Sequence, residues 1–89
     1  MFSETHIAPK EPSKFLKKLC HHFSLKIPAT YDTERGRAEF AMGTCEMEVQ
    51  ADNLYLRSSA ESEEALHAVE NIVGSHIELF GKRENIKVT

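Results

Sequence analysis

Between Arg37 and Ser59 the apolar residues fall on alternate positions: Ala38, Phe40 and Met42, then Cys45, Met47 and Val49, then Leu54 and Leu56. A two-residue period turns successive side chains to opposite faces of a strand, so the pattern predicts three short strands folded back on one another. Gly43-Thr44 lies between the first two runs, and Gly at the first central position suits a type II′ hairpin turn. That register sets Met42 against Cys45, Phe40 against Met47 and Ala38 against Val49. A second turn near Ala51-Asp52-Asn53 sets Val49 against Leu54 and Met47 against Leu56. The other face then carries Arg37, Glu39, Glu46, Glu48, Tyr55 and Arg57. A sheet apolar on one side and charged on the other needs one covering layer.

The flanking segments can supply that layer. Pro12 suits the first turn of a helix, where its missing N–H is no loss, and the helix is expected to run to about His22. Phe15, Leu16, Leu19, Cys20 and Phe23 form its apolar stripe, opposite Lys10, Lys14, Lys17, Lys18 and His21. Ser58, Ser59 and Ser62 are alternative N-caps for a second helix whose first turn holds Glu61, Glu63 and Glu64. Leu66, Val69, Ile72, Val73, Ile77 and Phe80 then recur at three- and four-residue intervals, and Gly81 is a natural C-terminal cap. Phe2 to Ala8 is a weaker strand candidate. Leu25 to Tyr31 is another, with Pro28 confined to a sheet edge or a strand start. Ile86 to Thr89 adds a last edge strand, whose abrupt end suggests a trimmed chain. The expected fold is α+β, a two-layer sandwich of two helices on one face of a mainly antiparallel sheet, in the order β-α-β-β-β-β-α-β.

With 89 residues, a single domain spanning 1–89 is expected. The net charge of −3 argues against a broad nucleic-acid footprint, and no Gly-rich phosphate loop or aromatic-studded basic strand offsets that. Cys20 and Cys45 sit on inward positions of different elements, so buried thiols and a reducing cytoplasm are expected rather than a disulfide. No apolar run suits a membrane span, and the first residues do not resemble a signal peptide.

Leu19-Cys20 followed by His22-Phe23, the Tyr31-Asp32 to Gly36-Arg37 turn, Gly43 with Cys45 and Glu46, and Ser75-His76 mark a further similarity. On these residues the chain resembles a bacterial family of small conserved proteins of unknown function. The resemblance implies a compact two-layer α+β domain. It also implies an association with siderophore-interacting flavin reductases, and hence with iron acquisition, but designates no catalytic residue.

Three constellations bear on chemistry. His22 and His76 lie on or beside the two helical stripes, where packed helices would bring them together near Cys45 or Cys20 as nitrogen and sulfur ligands for zinc or iron. No CxxC, HxxH or HExxH spacing preorganises such a site, and semi-buried histidines bonded to carbonyls explain the same residues. In the register above Glu39 directly opposes Glu48, which is unfavourable unless a cation, a proton or an arginine intervenes. The lysines of the first helix match an anionic ligand or, more simply, a solvated helical face. No GxSxG elbow is present. The reading that unites these features is a small cytoplasmic accessory domain without its own catalysis or cofactor. Its partner would be a siderophore-interacting reductase, met through Glu39, Glu46, Glu48, Tyr55 and Arg57, or a second copy met by edge pairing. The alternative is a zinc- or iron-binding or enzymatic domain built on His22, His76 and Cys45.

Overall fold

A computed structural model describes residues 1–81. The elements run β1 (Phe2–Ile7), α1 (Pro12–Ser24), β2 (Ala29–Tyr31), β3 (Arg35–Phe40), β4 (Gly43–Gln50), β5 (Asn53–Ala60) and α2 (Glu63–Phe80). The strands form one antiparallel sheet in the order β1-β5-β4-β3-β2. Both helices cover the same face, α1 over β2, β3 and β4, and α2 over β4 and β5. This is the expected α+β sandwich. The last expected strand, 86–89, lies outside the described residues.

Local chemistry accounts for the element ends. Pro12 opens α1, and α1 continues two residues beyond His22 to Ser24. Of the three serine candidates, Ser62 caps α2, its hydroxyl oxygen accepting the Ala65 N–H at 3.1 Å. The Gly81 N–H closes α2 on the Ile77 carbonyl at 2.8 Å. Ser58 and Ser59 belong instead to β5, where Ser58 is buried. β2 is shorter than the Leu25–Tyr31 expectation because Pro28, with no N–H to give, stands just before it. The Pro28 carbonyl still accepts from Glu39 N at 2.9 Å.

The inner face of the sheet and the two helical stripes make one core. Leu16, Leu19, Cys20, Ala38, Cys45, Leu54, Val69 and Ile77 are fully buried within it. The β4–β5 register is the expected one, with Val49 opposite Leu54 and Met47 opposite Leu56.

The β3–β4 register is not. Phe40 pairs with Gly43, Ala38 with Cys45 and Gly36 with Met47, so the turn is Ala41-Met42 and Phe40 does not oppose Met47. The shift is an even number of residues, so the apolar face stays inward in both registers and hydrophobic patterning cannot choose between them. The charges can. The observed pairing sets Arg35 against Glu48 and Arg37 against Glu46, whereas the alternative sets Glu39 against Glu48.

Glycine use follows the same correction. Neither Gly43 nor any other described glycine has positive φ, so Gly43 does not serve a type II′ turn. A Cβ on Gly43 would lie within van der Waals overlap of the Ser59 carbonyl oxygen and 3.0 Å from both Ala60 Cβ and Val69 Cγ2. Gly43 is required because backbone and helix crowd it.

Candidate functional site

The face of the sheet opposite the helices has no covering layer among the described residues. Its side chains are the outward-alternating positions of four long strands, and the registers align them in rows. One row reads Glu4, Arg57, Glu46, Arg37 across β1, β5, β4 and β3, and the next reads His6, Tyr55, Glu48, Arg35. Carboxylates and guanidiniums alternate along the first row. Arg37 Nη1 lies 3.8 Å from Glu46 Oε2, and Arg35 Nε 3.4 Å from Glu48 Oε2. All four side chains are at least two-fifths exposed, so each pair contributes at most about 1 kcal/mol. These pairs set the pattern of the surface more than the stability of the fold.

All five residues expected to make the contact surface, Glu39, Glu46, Glu48, Tyr55 and Arg57, lie on this face. The expected Glu39–Glu48 carboxylate pair does not exist. Glu39 opposes Thr44, and Glu48 is neutralised by Arg35. With that pair goes the cation site it would have created.

β1 adds residues that sequence reasoning left out. Tyr55 Oη donates to Glu4 Oε2 at 2.5 Å, and that carboxylate acceptor raises the Tyr55 phenol pKa. The His6 and Tyr55 rings are 5.1 Å apart, and the Arg57 guanidinium stacks 4.2 Å above the Phe2 ring. The alternation of Phe2, Glu4 and His6 against Ser3, Thr5 and Ile7 was the available signal. It is weak because the inward positions are mostly hydroxyl residues. Around the Ala41-Met42 turn the outer face continues into an open groove of about 1010 Å³ that ends at Ala65 of α2. Met1, Phe2 and Met42 line it and remain exposed.

On the other side of the sheet the structure unites His22 and His76. Their ring centroids are 4.9 Å apart, where the last turns of the two helices meet. Phe23 lies 4.9 Å from His76, Phe80 lies 5.2 Å from His22, and Phe40 meets Phe23 edge-on at 5.3 Å. Cys45 is not part of this group, because no cluster of three His, Cys, Asp or Glu side chains occurs among the described residues. It is buried beneath the sheet's inner face, and desolvation pushes its thiol pKa up to about 12. Cys20, whose thiol donates weakly to Met47 Sδ at 3.6 Å, is raised by burial to about 11. Neither thiol is a nucleophile at neutral pH.

Lys14, Lys17 and Lys18 are exposed on α1, with Lys14 3.8 Å from Glu11 and Lys18 over the Phe80 ring at 5.3 Å. No described helix is long and apolar enough to cross a membrane.

Residues 4–89 match a family described as an uncharacterised protein conserved in bacteria (DUF2218). Among solved structures the chain is similar to PA4090 from Pseudomonas aeruginosa, determined by NMR, with a TM-score of 0.80. The match covers 99% of this chain and 92% of that one at 22% sequence identity, a likeness that shows the shared fold. No curated protein matches the sequence.

Proposed function

The chain belongs to this family of uncharacterised bacterial proteins, and from its open sheet face we propose that it works as a small non-catalytic accessory domain that binds a protein partner. The observation that supports the reading is the outer face, uncovered among the described residues and continuous with a groove bordered by exposed Met1, Phe2 and Met42. Paired but half-exposed charges give such a surface specificity and orientation, while the exposed Met1, Phe2 and Met42 along a groove of mixed lining supply apolar area whose burial favours association. The thiols are protonated and buried, and Glu46 and Glu48 are matched by Arg37 and Arg35, so neither set is poised for acid–base or nucleophilic work.

The partner we propose is a siderophore-interacting flavin reductase in the cytoplasm, which would place the domain in iron acquisition. The supporting argument is the family resemblance in Leu19-Cys20 followed by His22-Phe23, the Tyr31-Asp32 to Gly36-Arg37 turn, Gly43 with Cys45 and Glu46, and Ser75-His76. A titration of such a reductase into the isotopically labelled chain tests it. Amide resonances of Glu39, Glu46, Glu48, Tyr55 and Arg57 are expected to move together, and the Glu46→Lys/Glu48→Lys variant is expected to bind at least about tenfold more weakly. Shifts confined to the helical side, or no shift at all, would refute the assignment of this face. Capture from iron-starved and iron-replete cells, with the same variant as control, tests the link to iron.

A further inference from the structure

Independently of the outer face, we propose that His22 and His76 form a two-imidazole binding site for a divalent first-row transition metal ion of the zinc, nickel or copper class. The two rings belong to different helices and lie 4.9 Å apart at a mutual angle of 50°, close enough for a single ion to bond both.

The protonation state of His76 follows from its neighbour. His76 Nδ1 lies 2.7 Å from the Ile72 carbonyl oxygen, which only accepts, so Nδ1 carries the proton. In the neutral ring Nε2 therefore holds the free lone pair. A ring nitrogen donating to a backbone carbonyl is the arrangement that orients histidine ligands in metal sites and raises their basicity.

His22 makes the second, separate point. It is half-buried, and its ring has aromatic neighbours but no hydrogen-bond partner among the described residues. Its ring nitrogens are not among the buried atoms left without a partner, so they stay reachable from solvent and free to take an ion. Phe23 and Phe80 hold both rings in place and lower the local dielectric, which strengthens an ion–ligand bond.

The donor set decides the class of ion. Two neutral nitrogens with no carboxylate beside them among the described residues do not suit magnesium or calcium, which take oxygen ligands, whereas imidazole suits zinc, nickel and copper. Two protein ligands leave the remaining positions to water, so the site is open and its affinity moderate.

The test uses the full-length chain and Zn2+ alone, with Ni2+ as a second probe, followed by calorimetry and by imidazole nitrogen NMR. One ion per chain is expected, with the His22 and His76 ring resonances shifting and the His76 Nδ1 proton retained. His22→Ala and His76→Ala should each weaken binding at least about tenfold, as loss of a ligand or its support does. His67→Ala, an exposed position on α2, should leave it unchanged. The proposal is overturned if no saturable shift of these two rings appears at a tenfold excess of either ion. It is overturned equally if the shifts fall on His6, His21 or His67 instead. Because the ring resonances are read on the unmodified protein, a variant that fails to fold does not rescue the idea.

Discussion

Gly36 and Cys20 offer the sharpest test of how the core is packed. Gly36 lies on the inner face of β3, under α1, where a Cβ would fall 2.5 Å from Cys20 Sγ and 3.0 Å from Leu16 Cδ1. Ordinary contacts between such atoms are about 3.5–4.0 Å, so the sulfur would have to move by roughly 1 Å. It has nowhere to go, since Cys20 and Leu16 are both fully buried. Gly36→Ala should therefore destabilise the fold by about 1–3 kcal/mol, the usual cost of overpacking. For a domain of this size that lowers Tm by about 4–8 °C per kcal/mol. Cys20→Ala removes the obstructing atom and leaves a small cavity, at a cost of about 1 kcal/mol, like the loss of one methyl-sized group. In the double variant the new methyl occupies the space the sulfur vacated. The two changes together should cost less than their sum by at least about 1 kcal/mol, well outside the roughly 0.3–0.5 kcal/mol scatter of independent sites. Urea unfolding of the four proteins measures the coupling. Strict additivity, or a neutral Gly36→Ala, would refute the packing of α1 on β3 described above.

The remaining predictions concern other positions. Gly43→Ala should cost about 2–3 kcal/mol or more, and Val69→Ala should not rescue it, because the closest obstacle is the Ser59 backbone carbonyl; chemical denaturation of both variants decides this. Ala51 has φ of 37°, so Ala51→Gly should raise stability by about 0.5 kcal/mol or more, seen as a higher denaturation midpoint. Asp32 Oδ1 accepts the Glu34 and Arg35 N–H groups at 2.7 and 2.8 Å, which lowers its carboxyl pKa. Its contribution to the β2–β3 turn should be complete above the unfolded carboxyl value of about 3.9 and lost as pH falls through the lower folded value, as carboxyl NMR would record. For the cysteines the sign is opposite. Their folded pKa values of about 11 and about 12 exceed the ordinary value of 9.0, so stability should fall as pH rises above that value and unfolded thiols ionise. Thiol labelling near neutral pH should proceed only through unfolding.

Much of this architecture was legible in the chain because two periods dominate it. The α2 stripe from Leu66 to Ile77 and the strand alternation from Ala38 to Leu56 place the core correctly, with Leu66, Val69, Val73, Ile77, Ala38, Cys45, Met47, Leu54 and Leu56 all buried. β1 was harder to read because Ser3 and Thr5 face the core side without being strongly apolar, and Ser3 spends its hydroxyl on Glu70 of α2 at 2.5 Å. Its place beside β5 then joins Glu4, His6 and Phe2 to the outer face, a non-local pairing that no local pattern announces. The meeting of His22 with His76 was foreseeable as two helical stripes turned toward one sheet. The tautomer of His76 was not, since it depends on a single carbonyl one turn away.

The β3–β4 register shows why residues can be assigned to the right face of a sheet and still be given the wrong partners. Patterning of period two decides which side chains share a face, and any even slip of one strand satisfies it equally well. Partners across the ladder are decided by smaller terms. Opposite charges facing each other contribute roughly 0.2–1 kcal/mol per pair, and like charges oppose pairing. In the observed register two Arg–Glu pairs replace one Glu–Glu conflict, and Gly36, close against Leu16 and Cys20 of α1, pairs with Met47. The like-charge conflict was itself the sign that the register needed moving. Resolving it turns an expected Glu39–Glu48 carboxylate pair into rows of alternating charge, in which Glu46 and Glu48 each face an arginine.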